Sequence, residues 1–244
     1  MPGRGDGSRE RRPLVPSHAV AVVIPAYQAA ATVASVVART RRAVPAATVY
    51  VVDDGSTDAT GDAGRGTGAE VLAHPRNLGK GAALRTGMAR ALADGAAVIV
   101  TLDGDGQHPP EDIPRLVAPI VAGEAELVLG ARARTRAMPL GRRCTNWLSA
   151  ALVTRIGGIA VPDAQTGFRA VSRRVAELIR PREEGYAFET AFLLHALARG
   201  CRVQSLPVPT VYPGGPSHFR LWGDTWRVAR VFTRYGREII FGAP

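Results

Sequence analysis

The sequence predicts an α/β protein, a single domain built on a central, mostly parallel β-sheet flanked by helices. Three observations carry this. Apolar runs of strand length at Ala19–Ile24, Thr48–Val52 and Ala96–Leu102 alternate with segments of helical spacing. The runs are apolar throughout rather than alternating, which marks strands covered on both faces. A polar cluster follows each run: Pro25-Ala26-Tyr27, Asp53-Asp54-Gly55-Ser56 and Asp103-Gly104-Asp105. In parallel sheets the ligands sit beyond these carboxyl ends of the strands.

Taken in order, residues 1–17 are Gly-, Arg- and Pro-rich without periodicity and read as a disordered basic tail. Ala19–Ile24 is a strand stopped by Pro25, and Ala29–Arg42 a helix. Thr48–Val52 is the second strand, Thr57–Gly64 a short helix and Glu70–Ala73 a short strand. Gly79–Ala93 reads as a helix, Ala96–Leu102 as a strand, and Pro109–Ala122 as a helix with proline at its start. Leu127–Leu129 is another short strand. Beyond residue 130 the order changes: an Arg-rich loop over Ala131–Arg143, a helix over Cys144–Ile156 and a loop over Val161–Arg169. A helix over Phe188–Arg199, a strand over Arg202–Pro207 and a Pro/Gly loop over Pro209–Ser217 follow. The domain is bounded at 18–218, and residues 219–244 form a closing amphipathic helix. There Arg227, Arg230, Arg234 and Arg237 make one stripe and Leu221, Val228, Phe232, Tyr235 and Ile239 another, with Trp222 and Trp226 between. Such a helix either lies in a membrane interface or packs its apolar stripe on the domain.

At 244 residues and 46% hydrophobic the chain can bury a sizeable core. No stretch reaches the roughly 18 consecutive apolar residues of a spanning helix, and no signal-peptide pattern precedes the first strand. The expected location is therefore cytoplasmic, with peripheral contact at the inner face of a membrane left open. Cys144 and Cys201 have no metal-ligand spacing. The net charge of +10 favours anionic partners without choosing among nucleotides, lipid phosphates and nucleic acid. An RNA-binding module would show aromatic stacking platforms beside its basic residues. The aromatics are few and scattered, so no nucleic-acid partner is expected.

Two carboxylates one residue apart, with Gly104 between them at a strand end, can direct oxygens into one small space. Hard cations such as Mg²⁺ or Mn²⁺ take oxygen ligands of this kind together with substrate phosphates. Gln107 and His108 can add ligands or hydrogen bonds. Asp and Gly also form ordinary turns, but the position after a buried strand favours function. Asp53 and Asp54 can accept hydrogen bonds from a base or ribose, while Ser56, Thr57 and Asp58 suit a helix cap. Arg76-Asn77-Leu78-Gly79-Lys80-Gly81 precedes a helix, and helix N-termini favour phosphate. Lys80 is the only lysine among 31 basic residues.

These motifs resemble family 2 glycosyltransferases of the GT-A (Rossmann-like) fold, in particular the branch of dolichyl- and polyprenyl-phosphate sugar synthases. The resemblance covers roughly residues 19–218. It rests on Val23–Tyr27, Val51–Asp58, Asn77–Ala82, Asp103–Pro109, Gly130-Ala131-Arg132 and Asp163–Arg169. It implies a nucleotide-sugar pocket of Pro25, Ala26, Tyr27, Asp53, Asp54, Asn77, Gly79, Lys80, Asp103 and Gly104. It implies a metal, Mg²⁺ or Mn²⁺, held by Asp103, Asp105 and Gln107. Arg132, Arg143, Ser217 and Arg220 are implied at the acceptor phosphate. Asp105, Arg132, Arg142, Asp163, Gln165 and Glu189 complete the candidate catalytic set. The family's first motif has Asn-Glu after the aromatic, where this chain has Gln28-Ala29. Tyr186–Thr190 and Tyr212–Arg220 further resemble bacterial members of lipid-modifying or aryl-polyene pathways.

The resemblance implies inversion by direct displacement of a nucleoside diphosphate. An ionised lipid phosphate needs no strong base, only arginines to position it, and Arg132, Arg134, Arg136, Arg142 and Arg143 form such a run. A hydroxyl acceptor needs a base, for which Asp163 and Glu189 are the candidates. Each also has an ordinary structural reading, Asp163 as a loop former and Glu189 as a first-turn helix acid. The lipid phosphate is the favoured acceptor. A nucleotidyltransferase, releasing pyrophosphate from a nucleoside triphosphate, would use a similar pocket.

Overall fold

The computed structural model describes residues 19–132, 140–183 and 186–209. Its strands are β1 (Val20–Ala26), β2 (Thr48–Asp53), β3 (Glu70–Ala73), β4 (Val98–Thr101), β5 (Leu127–Arg132), β6 (Arg169–Ser172) and β7 (Val203–Val208). They form one seven-stranded sheet in the order β3-β2-β1-β4-β6-β5-β7. The helices are α1 (Val33–Ala43), α2 (Thr60–Arg65), α3 (Lys80–Ala93), α4 (Ile113–Val121), α5 (Leu140–Gly157), α6 (Arg173–Leu178) and α7 (Tyr186–Ala198). The order confirms the expected α/β architecture.

Every residue of β1 except Pro25 is buried, because the strand faces helices on both sides. Val20, Val22 and Ile24 join one core with Val33, Val36 and Val37 of α1 and Ile113 and Leu116 of α4. Ala21 and Val23 join the other, with Ala83, Leu84 and Met88 of α3 and the apolar residues of α7. The period-2 direction of strand side chains thus divides one apolar run between two layers. Helix α3 lies close on the sheet at Gly87, where a Cβ would stand 2.3 Å from Val23 Cγ1.

Strands β1, β2, β3 and β4 are parallel. The chain winds outward from β1 through β2 to β3, then returns to β4 on the other side of β1. The crevice between the carboxyl ends of β1 and β4 is therefore the switch point where such sheets bind ligands. Strand β6 runs antiparallel to β4 and to β5, with Arg169 opposite both Thr101 and Leu129. An antiparallel strand enters where its neighbours leave. The loop before β6, residues 163–168, is thereby delivered to the same end of the sheet as the Asp103 loop.

Several boundaries differ from the sequence reading. Neither β6 nor α6 was anticipated: Arg169–Ser172 opens on a charge, Arg173-Arg174 follow at once, and neither segment has the unbroken apolar run that marks β1, β2 and β4. The helix placed from Ala29 starts at Val33: the Ala29 amide donates to Thr60 Oγ1 at 2.7 Å and the Ala30 amide to Asp58 Oδ2 at 3.1 Å, which ties this turn to the neighbouring loop. The helix placed from Thr57 starts at Thr60, and Ser56 and Thr57 bond Gln28 instead of capping it. The tail at 1–17, the arginines at 134 and 136 and the closing helix at 219–244 lie outside the described residues.

Candidate active site

The Asp103 loop leaves β4 and turns back under α1, where Thr32 Oγ1 donates to the Gly104 carbonyl at 2.7 Å. Gly104 fits closely there, since a Cβ would meet the Pro25 carbonyl at 3.3 Å. The loop closes on itself through the Gln107 amide, which donates to Asp105 Oδ1 at 2.9 Å. Asp105 is exposed while Asp103 and Gln107 are half-buried, so all three can reach the crevice.

Asp103 is held from two sides. Lys80 Nζ lies 2.7 Å from Asp103 Oδ1 and 2.7 Å from Glu189 Oε1. On the other side Gly167 packs so closely that a Cβ there would lie 2.6 Å from both carboxylate oxygens. Burial opposes the Asp103 charge, but Lys80, His108 and Arg132 outweigh it and keep its pKa below the usual carboxylate value. Burial likewise opposes the Lys80 charge, and Asp103 and Glu189 together raise its pKa above the ordinary lysine value.

Arg132, the last residue of β5, makes a buried fork with Asp163: Nε to Oδ2 at 2.6 Å and Nη2 to Oδ1 at 3.1 Å. The Gln165 amide adds a bond to Asp163 Oδ1 at 3.2 Å, and Gln165 Nε2 donates to Ser149 Oγ on α5 at 3.2 Å. Burial penalises the Asp163 charge, yet Arg132 holds its pKa below the usual carboxylate value. Arg169 ties the same loop to itself and to α7, donating to the carbonyls of Thr166, Glu189 and Ala164 at 2.8, 2.8 and 2.9 Å. Burial, the largest effect, pushes this guanidinium down to about 10 despite Glu189, Asp163 and Asp103. His108 is buried against Phe168, with ring centroids 5.4 Å apart. Burial lowers it to about 4, with Arg132 and Lys80 adding to the effect and Asp103 and Asp163 opposing it. It is therefore neutral at physiological pH.

On the β2 side the two aspartates divide their work. Asp53 Oδ1 accepts from the Ser56 amide at 3.0 Å. Asp54 is buried: its Oδ1 accepts from the Leu78 amide at 2.9 Å and lies 2.6 Å from His74 Nδ1, and its Oδ2 accepts from the Gly79 amide at 2.8 Å. The sequence reading placed Asp54 against the nucleotide; in the structure its carboxylate also braces the loop that starts α3. Gln28 likewise clasps the next loop, donating to Thr57 Oγ1 at 2.8 Å and accepting from the amides of Thr57 and Asp58 at 3.1 and 3.2 Å. It adopts a left-handed backbone conformation, φ 52°, to do so. Tyr27 is exposed at the end of β1.

The crevice thus gathers Pro25, Ala26, Tyr27, Asp53, Gly79, Lys80, Asp103, Gly104 and Asp105 at the carboxyl edge of β1, β2 and β4, with Asn77 in the loop before α3. Arg132, Asp163, Gln165 and Glu189 come in from the second half of the chain. Arg142 and Arg143 belong to α5, but their side chains lie outside the described residues, as do Ser217 and Arg220. The sequence reading gave no role to Gly167, Arg169, His74 or Thr32. A glycine two residues after Gln165 was the one available signal for close packing. The others act through long-range contacts that no local pattern announces.

Among the described residues no group of three His, Cys, Asp or Glu side chains can hold a metal by itself. The donors at the Asp103 loop are two carboxylates and one amide, and Asp103 already shares its charge with Lys80. This set fits a Mg²⁺ or Mn²⁺ ion that completes its shell with substrate phosphate, and does not fit a self-sufficient protein cage.

The sequence profile of glycosyl transferase family 2 matches residues 21–180. The chain belongs to that family. This family 2 glycosyltransferase is 30% identical to the undecaprenyl-phosphate mannosyltransferase of Micrococcus luteus, over 79% of this chain and 83% of that protein. It is 31% identical to the UDP-N-acetylglucosamine–dolichyl-phosphate N-acetylglucosaminyltransferase of Methanococcus voltae, over 58% of this chain and 59% of that one. In three dimensions it matches the glucosyl-3-phosphoglycerate synthase of Mycobacterium tuberculosis, solved with Mn²⁺, UDP and phosphoglyceric acid. That match has a TM-score of 0.72 and 26% identity, and covers 89% of this chain and 78% of the other. The GT-A fold expected from the motifs is the fold of the family 2 chain. No helix among its described residues is long and apolar enough to cross a membrane.

Proposed function

We propose that this glycosyltransferase is metal-dependent and inverting, and moves a hexose from a UDP- or GDP-sugar to a polyprenyl or other lipid phosphate. The observation that carries the choice of acceptor is the state of the two base candidates. Asp163 is wholly buried and forked to Arg132, and Glu189 is buried against Lys80. Neither carboxylate is placed to take a proton from a hydroxyl. A phosphate oxygen is already ionised at neutral pH and needs none, so positioning and charge stabilisation suffice.

In this reading the pocket of Pro25, Ala26, Tyr27 and Asp53 holds the nucleoside. The loop braced by Asp54 presents Asn77 and Gly79 beside the diphosphate. Asp103, Asp105 and Gln107 hold the metal, which would supply positive charge to the departing diphosphate. Arg132, fixed in orientation by Asp163, is assigned to the acceptor phosphate, with Arg142, Arg143, Ser217 and Arg220 as the further candidates. Gln165 joins the Asp163 loop to α5 and so keeps that side of the site in register. The relatives support this reading, since lipid phosphates appear in the names of both enzymes above and the related synthase was crystallised with UDP and either Mn²⁺ or Mg²⁺. A phosphorylated small acid is the second reading, favoured by the structural match to the phosphoglycerate-bound synthase. We further propose that residues 18–218 form the catalytic domain and that the helix at 219–244 touches the membrane peripherally.

The test is a thermal-shift screen of UDP-, GDP- and TDP-sugars with Mn²⁺, followed by transfer assays on undecaprenyl phosphate and 3-phosphoglycerate. Stabilisation by one sugar nucleotide and transfer to the lipid are expected, with turnover abolished in Asp105→Ala. Full activity of that variant overturns the metal assignment, and transfer only to the small acid overturns the lipid acceptor.

A further inference from the structure

Lys80 occupies an unusual place for its charge. It is the first residue of α3, where the positive end of the helix macrodipole disfavours a cation. The first turn of α3 holds no acid to offset it. Two carboxylates from distant parts of the chain compensate instead, Asp103 beyond β4 and Glu189 on α7, each 2.7 Å from Nζ. The three side chains differ in exposure. Lys80 and Asp103 are each 24% exposed, whereas Glu189 is 2% exposed beneath them.

We infer that Glu189 is a positioning residue: it anchors Lys80, and Lys80 in turn fixes the carboxylate of Asp103 at the donor site. A lysine on a free four-carbon stem loses rotamer freedom when held, so a single exposed carboxylate would fix it poorly. Glu189 is itself tied into the core. Its backbone carbonyl accepts from the buried Arg169 at 2.8 Å, and its side chain lies in the first turn of α7. Gly167 closes the opposite side of Asp103, so the carboxylate is seated between a glycine and an anchored ammonium. A compact ammonium can be shared between two carboxylates at these distances. A guanidinium is a planar fork rather than a compact point charge, so Arg is not equivalent to Lys80, the one lysine of the chain, at this seat. The inference rests on the donor pocket proposed above and gives Glu189 a part that involves no proton transfer.

The test uses calorimetric binding of UDP and GDP with Mn²⁺, together with donor KM and kcat, in Lys80→Met, Glu189→Gln and the double variant. Each single variant is expected to weaken metal-dependent nucleotide binding about tenfold. The double variant should be no weaker than the worse single one, because both act through one contact chain. Lys80→Met leaves a buried carboxylate uncompensated and can destabilise the fold. The double variant, neutral at both positions, keeps the comparison usable, and thermal unfolding is followed throughout. Lys80→Arg is expected not to rescue. Nucleotide binding and donor KM within twofold of wild type in Glu189→Gln, or losses in the double variant that multiply, overturn the inference alone. Wild-type protein that binds neither nucleotide overturns it together with the transferase reading.

Discussion

Arg132 and Asp163 meet as a buried two-pronged ion pair, with Nε 2.6 Å from Oδ2 and Nη2 3.1 Å from Oδ1. The pair joins the end of β5 to the loop that enters β6, and it points the guanidinium without any help from solvent. Breaking one partner of such a pair leaves the other charge buried and alone, at a cost of about 3–5 kcal/mol. Asp163→Asn should therefore unfold in urea with a stability lower by about that amount at pH 7. A loss within 1 kcal/mol would show that the pair is solvated.

The same pair gives the protein a pH dependence of known sign. Arg132 lowers the Asp163 pKa in the folded state against the burial that would raise it. Its contribution is present above the unfolded value, about 3.9 for an aspartate, and is lost as pH falls through the lower folded value. Urea midpoints of wild type and Asp163→Asn should thus differ most at pH 6–7 and converge as the medium is acidified below about pH 4. A gap that stays constant to pH 3 would assign the stability difference to packing instead.

Gly167 sits where any side chain would strike Asp103, with a Cβ 2.6 Å from both oxygens. Its φ is not in the left-handed region, so Gly167→Ala carries no backbone strain of that kind and acts on the carboxylate. Displacing a positioned group by about 1 Å can cost roughly a hundredfold in rate. Transfer kinetics should show kcat/KM falling by at least about tenfold, with the unfolding transition nearly unchanged. Wild-type kinetics in this variant would mean that Asp103 has room to move.

Asp54 accepts from two amides, Leu78 and Gly79, besides His74. Asp54→Ala removes the acceptor of the Leu78 amide and leaves the Gly79 amide only Asn77 Oδ1, a loss of about 1–3 kcal/mol for a group that stays buried and unpaired. Hydrogen exchange at Leu78 and Gly79 should accelerate selectively, with weaker nucleotide binding following from the loosened loop. Unchanged exchange at both amides would remove the bracing role.

How much of this was legible beforehand depended on the range of the interaction. The strand runs at Ala19–Ile24, Thr48–Val52 and Ala96–Leu102 were plain because burial on both faces demands unbroken apolar residues, and β1, β2 and β4 lie there. Asp103 and Asp105 were visible from their place after β4. Strand β6 was not, since Arg169–Ser172 has four residues, its first is charged, and it owes its existence to the two strands it fits between. The Asp53-Asp54 pair looked like two equivalent acids. Its division into an acid at the crevice edge and a brace appears only when the Leu78–Gly79 amides are seen to converge on one of them.

By itself the sequence determined the α/β class, the family and the strand ends at which the Asp53, Lys80 and Asp103 motifs stand, because local periodicity and short motifs follow from contacts near in the chain. Only the tertiary structure decided that Lys80 is shared by Asp103 and Glu189, that Arg132 is locked by Asp163, and that Gly167 backs the Asp103 carboxylate. The reason is geometric. The antiparallel β6 turns the second half of the chain back to the carboxyl edge of the parallel strands, and that reversal brings these charges within bonding distance.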